Sequence, residues 1–284
     1  MHERKNPRSS WDSITSLLAI NLKKQKLLYK LKLLNESFFM KKTLLIDGDI
    51  VAYQHATKVE TPIHWGDEIW TLHADAKECK MRIRDWLKWA VEETGVDDML
   101  IYLSSTENFR KDLAESYKAN RKDKRKPIIL TAIREWMLEE FDAIILPRLE
   151  ADDAIGIALT SGKHGDCIAA SIDKDFDTIP GKHFNWNAKN GIREISTKEA
   201  DRNFFRQALT GDSTDNYGGC PGIGPKKADK ILDGAKDYWE AVLAAYQKAG
   251  LGLEIALTQA RLARILRHGE YNMKTNKIKL WRPA

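Results

Sequence analysis

The sequence has 284 residues, enough for one large domain or two modest ones at roughly 150 residues per domain. Hydrophobic residues make up 43% and charged residues 31%, which excludes a disordered chain and a fibrous repeat, and no apolar run approaches the roughly 18 residues of a membrane span. The net charge is +5, and three widely spaced cysteines argue against a disulfide framework, so we expect a soluble protein of the reducing cytoplasm.

The first 39 residues differ from the rest in charge. Residues 1–42 contain ten basic and three acidic residues, a net charge of +7. Leucines and lysines are mixed between Leu17 and Leu34, which is typical of a basic amphipathic segment and not of a signal peptide. Because Met40 begins a segment that runs straight into a strand, we expect residues 1–39 to be a dispensable extension.

The middle of the chain alternates predicted strands and helices. Strands are predicted at 43–46, 99–103, 143–146 and 167–172. Helices are predicted at 72–91, 128–140 and 151–160. Right-handed crossovers between such units give an α/β fold with a mainly parallel, twisted sheet and flanking helices. Active residues should then gather at the carboxyl ends of the strands.

Beyond the fourth strand the pattern becomes mostly helical. Residues 183–187 and 192–195 are compatible with a hairpin, and Ser196 begins a capping box for a helix that ends at Leu209. Residues 211–268 are typical of helices and tight turns. The expected units are an extension at 1–39, a core at 40–205 and a helical C-terminal region at 206–284.

Acidic residues follow the predicted strands and recur in one later loop. They are Asp47, Glu150, Asp152, Asp153, Asp173 and Asp175, with Asp212 and Asp215 in the loop. Two carboxylates about 5 Å apart repel by roughly 3 kcal/mol at an effective dielectric constant of 20, so several such pairs require cations among them. Oxygen-only ligands predict Mg²⁺ or Mn²⁺ in preference to zinc. The competing interpretation is a set of unrelated helix caps and turns, which we prefer for Asp49 and Asp177 taken singly.

Two further segments indicate a polyanionic partner. Residues 117–127 contain six basic residues and one acidic residue. Gly222 and Gly224 form a Gly-x-Gly turn before Lys226 and Lys227, and such a turn between helices lets backbone N–H groups approach a phosphate. No Walker loop or dinucleotide fingerprint is present, so a nucleotide cofactor is not expected.

Six motifs, taken in order, resemble those of the 5′-nuclease family, with most similarity to phage 5′→3′ exonucleases. They are Leu45-Ile-Asp47-Gly, Tyr117-Lys-Ala-Asn-Arg121, Glu150-Ala-Asp-Asp153, Ser171-Ile-Asp173-Lys-Asp175-Phe-Asp177, Gly211-Asp-Ser-Thr-Asp215-Asn and Pro221-Gly-Ile-Gly224. The resemblance spans about residues 40–270. It implies a PIN-like core, a helical arch near 106–140 and a C-terminal helix-three-turn-helix.

The resemblance also implies a two-metal phosphodiesterase. Its metal ligands would be Asp47, Glu150, Asp152, Asp153, Asp173, Asp175, Asp212 and Asp215. Lys118 and Arg121 would act in catalysis at the scissile phosphate, with Tyr117 beside them on the DNA. Gly222, Gly224, Lys226 and Lys227 would contact the duplex backbone, where a K⁺ ion often joins in the family. One position departs from the pattern, since Ser104-Ser105 stands where many members have an aspartate, which leaves the affinity of one metal open.

The expected activity is 5′→3′ exonuclease or flap endonuclease action on DNA with 5′ ends, nicks or flaps, in replication or genome degradation. RNA–DNA hybrids are a further candidate substrate, and we expect a monomer in the cytoplasm, of the host cell if a phage encodes it. A PIN-type RNase would share the acidic site but usually lacks the Gly-x-Gly hairpin. A dehalogenase-like phosphatase would share Asp47-Gly-Asp49 but needs no such hairpin. A non-catalytic DNA-binding module is a candidate from a different functional class.

Overall fold

The computed structural model describes residues 41–189 and 191–283, and the extension predicted at 1–39 lies outside them. Five strands form the central sheet: β1 (Lys42–Asp47), β4 (Asp98–Tyr102), β5 (Asp166–Ala170), β6 (Gly181–Phe184) and β7 (Ile192–Ile195). Their order is β4-β1-β5-β6-β7, and every neighbouring pair is parallel except β6 and β7. Two separate hairpins are formed by β2 (Glu60–His64) with β3 (Trp70–Ala74), and by β8 (Tyr271–Asn272) with β9 (Lys277–Ile278).

Nine α-helices lie in the described residues. They are α1 (Gly48–Lys58), α2 (Ala76–Thr94), α3 (Arg110–Leu113), α4 (Leu130–Phe141), α5 (Ala151–Ser161), α6 (Thr197–Thr210), α7 (Pro225–Asp233), α8 (Tyr238–Lys248) and α9 (Leu253–Ala263). Two 3₁₀ turns lie at Ala119–Arg121 and Lys174–Thr178. Within the described part of the chain, no helix is both long and apolar enough to cross a membrane.

Both faces of β1 are buried, because successive side chains of a strand point to opposite faces. Leu44 and Ile46 pack with residues of α1, α2 and α4 on one face. Leu45 packs with residues of α5 on the other. A separate apolar cluster around Phe204 and Tyr246 joins α6 to α8 and α9. The sheet is therefore covered by helices on both sides, as the predicted α/β class requires, and that prediction is confirmed.

The prediction of a strand at 143–146 is wrong. A single parallel bridge joins Ile144 to Tyr102, with hydrogen bonds from Ile144 N to Ile101 O (2.7 Å) and from Leu103 N to Ile144 O (2.9 Å). Pro147 follows shortly afterwards and has no N–H group with which to continue a ladder. The segment nevertheless runs beside the end of β4, so it delivers Glu150 to the same edge that a strand would have reached.

The helix predicted from residue 72 begins too early. Asp75 caps α2 by accepting hydrogen bonds from Lys77 N (2.7 Å) and Glu78 N (3.1 Å), and the residues before it form β3. The hairpin predicted from 183–187 and 192–195 is present, but its first strand is Gly181–Phe184, with Gly181 opposite Ile195 and Phe184 opposite Ile192. The capping of α6 is confirmed by Glu199 N, which donates to Ser196 Oγ (3.2 Å). Helix α1 and both small hairpins were not predicted.

Candidate active site

Asp47 lies at the carboxyl end of β1 and caps α1. Its Oδ1 accepts from Ile50 N (3.3 Å), and its Oδ2 accepts from Ser171 Oγ (3.0 Å) at the end of β5. Gly48 permits the close turn, because a Cβ there would lie 2.6 Å from Ile101 Cγ2 and 2.8 Å from Tyr102 O. Burial raises the pKa of Asp47 to about 6, although its two hydrogen bonds act in the opposite direction. The side chain is therefore held in a dry position where a positive charge would stabilise its ionised form.

Three carboxylates converge where α5 begins. One oxygen each from Glu150, Asp152 and Asp153 lies within 4.8 Å of the others. Burial, followed by the charges of Asp153 and Glu150, raises the pKa of Asp152 well above its usual range. Ser104 Oγ accepts from Ala151 N (3.0 Å), so the position where an acid was expected instead carries a hydroxyl that caps this helix.

Asp153 differs from its two neighbours in being fully enclosed by donors. Its side chain forms a bidentate ion pair with Arg110 at 2.7 Å and 2.8 Å. It also accepts from Leu266 N (3.0 Å) and Glu150 N (3.3 Å). These four bonds fill the acceptor positions of the carboxylate in this structure.

The segment 117–121 lies directly on the acidic residues. The hydroxyl of Tyr117 lies 2.9 Å from Glu150 Oε2 and 2.8 Å from Asp215 Oδ2. Lys118 Nζ forms ion pairs with Glu150 and with Asp215, the second at 3.3 Å, and Arg121 forms an ion pair with Asp215. Burial alone would raise the pKa of Glu150, but Lys118 and Arg110 outweigh it and hold this pKa at about 2. The basic segment therefore already supplies cationic partners to the carboxylates.

A second acidic group lies beyond β5 and in the loop after α6. Asp173 caps the 3₁₀ turn by accepting from Asp175 N (3.0 Å). Burial, then the charges of Asp173 and Asp212, raises the pKa of Asp175 to about 7. Asp212 is buried, but Lys174 Nζ lies 3.1 Å from its Oδ2 and, with backbone donors, lowers its pKa.

The loop that presents Asp212 is closed by two backbone hydrogen bonds between Asp212 and Tyr217, at 2.9 Å and 3.1 Å. Gly211 has a φ of +67°, and a Cβ there would lie 2.4 Å from Tyr217 O and from Gly218 C. Only glycine fits this crossing without displacing the chain. The loop is joined to the basic segment by Lys118 N, which donates to Asp215 O (2.8 Å).

The two acidic groups form one electrostatic region. Asp173 raises the pKa of Asp47. Burial first, and then Asp175, Asp212 and Asp215 together, raise the pKa of Tyr217. The structure therefore brings all eight predicted acidic residues to one edge of the sheet. Oxygen donors without histidine or cysteine suit a hard divalent cation, so this donor set fits the predicted metal.

The predicted duplex contacts lie at a different place. Gly222, Gly224, Lys226 and Lys227 are exposed in the turn before α7 and in its first residues. Lys227 Nζ donates to Gly222 O at 2.8 Å. Among the described residues, none of these four has a hydrogen bond or ion pair with a predicted carboxylate ligand.

Sequence reasoning missed Arg110 and Arg134. Arg134 on α4 forms an ion pair with Asp49 and donates to Ser104 O (2.6 Å), while Ser104 N donates to Asp49 Oδ2 (2.8 Å). Asp49 thus reaches across to the end of β4, and Asp47 is the residue that caps α1. Apolar Phe109 beside Arg110 was the available signal that the chain is buried at this point.

The chain is similar in sequence to two phage exonucleases and similar in fold to a phage flap endonuclease. The exonuclease of Escherichia phage T7 is 32% identical over 286 residues, which cover 84% of this chain and 93% of the phage protein. The exodeoxyribonuclease of Enterobacteria phage T3 is 30% identical and covers 84% of this chain and 92% of its own length. The flap endonuclease D15 of bacteriophage T5, solved in a complex with DNA and metal ions, has the same fold with a TM-score of 0.57 at 16% identity, over 78% of this chain and 89% of that one. No protein-family model matches the sequence.

Proposed function

The chain belongs to the 5′-nuclease family, and we propose that it is a divalent-metal-dependent, structure-selective nuclease that hydrolyses DNA phosphodiesters in the 5′→3′ direction. The observation that carries this proposal is the meeting of acidic side chains from four separate segments beside one basic segment. Divalent cations among the carboxylates would offset the repulsion that the basic side chains leave uncompensated. Phosphodiester hydrolysis needs the same combination of carboxylate-bound cations and basic side chains.

Seven side chains would hold two Mg²⁺ or Mn²⁺ ions: Asp47, Glu150, Asp152, Asp173, Asp175, Asp212 and Asp215. Asp153 is not in this set because protein donors already fill its acceptor positions. When bound, the ions lower the pKa of a water molecule and stabilise the charge on the phosphate. The raised pKa values of Asp47 and Asp175 support the assignment, since both groups lack sufficient positive charge nearby.

Lys118 and Arg121 would bind the scissile phosphate and stabilise the negative charge that develops on it. Their side chains now pair with Glu150 and Asp215, and they remain partly accessible, with 20% and 43% of the side-chain surface exposed. Tyr117 keeps its proton, because burial raises the pKa of its hydroxyl far above the usual range. It would therefore orient Glu150 and Asp215 by hydrogen bonding, and we place it at the border of the DNA path.

Duplex DNA would bind through the turn at Gly222 and Gly224, with Lys226 and Lys227 at the backbone phosphates. Gly222 O already accepts from the ammonium group of Lys227, which supports K⁺ binding by carbonyl groups of this turn. The fixed separation between this turn and the acidic edge would make the enzyme select DNA by structure more than by sequence.

We propose DNA with 5′ ends, nicks or flaps as substrates, RNA–DNA hybrids as a secondary class, and action as a monomer in replication or genome degradation. Three free, buried cysteines support a cytoplasmic location.

The test is a parallel digestion of 5′-labelled blunt duplex, nicked duplex, 5′-flap DNA and single-stranded RNA, with and without Mg²⁺, followed by sizing of the products. Filter binding of the DNA substrates in EDTA accompanies it. We expect cleavage only with the metal, and products that carry a 5′-phosphate and a 3′-hydroxyl. DNA binding without cleavage under both conditions would instead favour a non-catalytic module. Preferential cleavage of single-stranded RNA would favour a PIN-type RNase.

A further inference from the structure

Arg110 is a fully buried arginine whose donors are all used. The residue is 1% exposed. Nε donates to Leu262 O (3.0 Å), Nη2 donates to Arg264 O (2.6 Å) and Asp153 Oδ1 (2.8 Å), and Nη1 donates to Asp153 Oδ2 (2.7 Å) and Glu150 Oε2 (3.2 Å). Five N–H groups therefore meet five acceptors, which is the full capacity of a guanidinium.

Asp153 completes the same network from the other side. It is 0% exposed, and its two oxygens accept from Arg110 twice, from Leu266 N and from Glu150 N. Asp152, by contrast, accepts a single hydrogen bond in the described structure, from Asp153 N at 2.7 Å. A metal ion at Asp153 would have to displace buried donors, whereas Asp152 has free acceptor positions.

We propose that Asp153 is a positioning residue and not a metal ligand: with Arg110 it forms a buried ion pair that fixes Glu150 and fastens residues 262–266 to the start of α5. Glu150 touches the pair twice, through its backbone N–H to Asp153 and through its carboxylate to Arg110. The chain after α9 is thus bonded directly to the edge where the carboxylates meet. The proposal rests on the proposed function only in taking Glu150 and Asp152 as metal ligands.

The direction in which a substitution changes the melting temperature in EDTA distinguishes a metal ligand from a positioning residue. In EDTA, Asp152→Asn removes one of several crowded negative charges, so its melting temperature should rise. Asp153→Asn removes the bidentate partner of Arg110 and leaves the buried guanidinium with the carboxylate of Glu150 alone, so its melting temperature should fall by roughly 10 °C. A rise with Asp153→Asn, matching that of Asp152→Asn, would overturn the proposal.

Binding of Mn²⁺, followed by electron paramagnetic resonance, gives a readout that a purely structural role would not change. Asp153→Asn should bind the same number of ions per chain as the wild type, with affinity lowered roughly tenfold because Glu150 is less firmly held. Asp152→Asn should bind fewer ions. Loss of an ion from Asp153→Asn, or an affinity equal to that of the wild type, would overturn the positioning role.

The double variant Arg110→Gln with Asp153→Asn covers the case in which Asp153→Asn does not fold. It removes both buried charges and keeps an amide at each position, so it should fold and retain the full number of Mn²⁺ ions. A folded double variant that loses an ion would overturn the proposal. If the wild type itself binds no Mn²⁺, the proposed function fails, while the melting comparison in EDTA still tests the ion pair.

Discussion

Replacing Asp175 by asparagine should stabilise the metal-free protein more at pH 8 than at pH 5. Burial and the charges of Asp173 and Asp212 raise the pKa of Asp175 from 3.8 to about 7. The folded state therefore binds the proton more tightly than the unfolded state, so this residue favours folding at low pH and that contribution is lost as the pH rises through 7. Asparagine resembles the protonated form at every pH.

The magnitude follows from the shift in pKa. Above pH 5 the Asp175 carboxyl group is protonated in the folded state only, and it loses that proton as the pH passes 7. The two pH units between 5 and 7 correspond to a loss of about 3 kcal/mol in the free energy of unfolding of the wild type. For a folded part of this size, that is a difference of roughly 10 °C in melting temperature. Comparing the variant with the wild type cancels His55, whose pKa burial lowers to about 4 and whose own effect on stability has the opposite sign.

The assay is thermal unfolding of both proteins in EDTA at pH 5 and pH 8. We expect the variant to have the higher melting temperature at both pH values, by roughly 10 °C more at pH 8 than at pH 5, because the unfolded wild type is already ionised at pH 5. Adding Mg²⁺ at pH 8 should stabilise the wild type more than the variant, because the ion replaces the missing positive charge. If the two proteins differed in melting temperature by the same amount at pH 5 and pH 8, the inference that the fold raises the pKa of Asp175 would be refuted.

Three further substitutions test other parts of the site. Asp173→Asn should lower cleavage by at least about 100-fold while DNA binding in EDTA stays largely intact, and normal turnover would exclude Asp173 as a ligand. Lys226→Ala with Lys227→Ala should weaken duplex binding and flatten the log-log salt dependence by about two, and an unchanged slope would remove this turn from the DNA contact surface. Gly211→Ala should lower the melting temperature and cleavage together, because its Cβ would meet backbone atoms at 2.4 Å and φ is +67°. Gly218→Ala is the matched control, since nothing lies within 4 Å of its Cβ, and equal losses in both variants would contradict this packing argument.

The acidic edge could be predicted from sequence because a short-range pattern determines it. Asp47 ends one buried strand and Asp173 closely follows another, and parallel pairing of β1 with β5 brings the ends of both strands to one edge. The position of Glu150 was predicted correctly although one predicted strand is absent. The segment 143–146 is not a strand, yet a single bridge to β4 guides the chain so that Glu150 arrives at the same edge.

The β2–β3 hairpin could not be predicted because burial does not shape its sequence. Trp65 and Trp70 are 67% and 60% exposed, and β2 lacks the alternation of apolar and polar residues that marks a half-buried strand, although β3 has it from Trp70 to Ala74. Leu72 and Ala76 happen to keep helical spacing with the residues of α2, which moved the predicted start of that helix into β3. Asp75, a good cap residue immediately before α2, was the better signal.

Arg110 shows why the remaining part of the site needs coordinates. An arginine among polar and charged residues is expected to lie in solvent, and nothing near it in sequence indicates the acceptors that would allow its burial. Those acceptors are the carbonyl groups of Leu262 and Arg264 and the carboxylate of Asp153, which are 152, 154 and 43 residues away. The free-energy cost of burying the guanidinium would be prohibitive without these acceptors. With all of them in place, the buried arginine is stable. Local sequence can therefore indicate which carboxylates meet at the edge, but only the tertiary fold determines which of them is already occupied by protein donors.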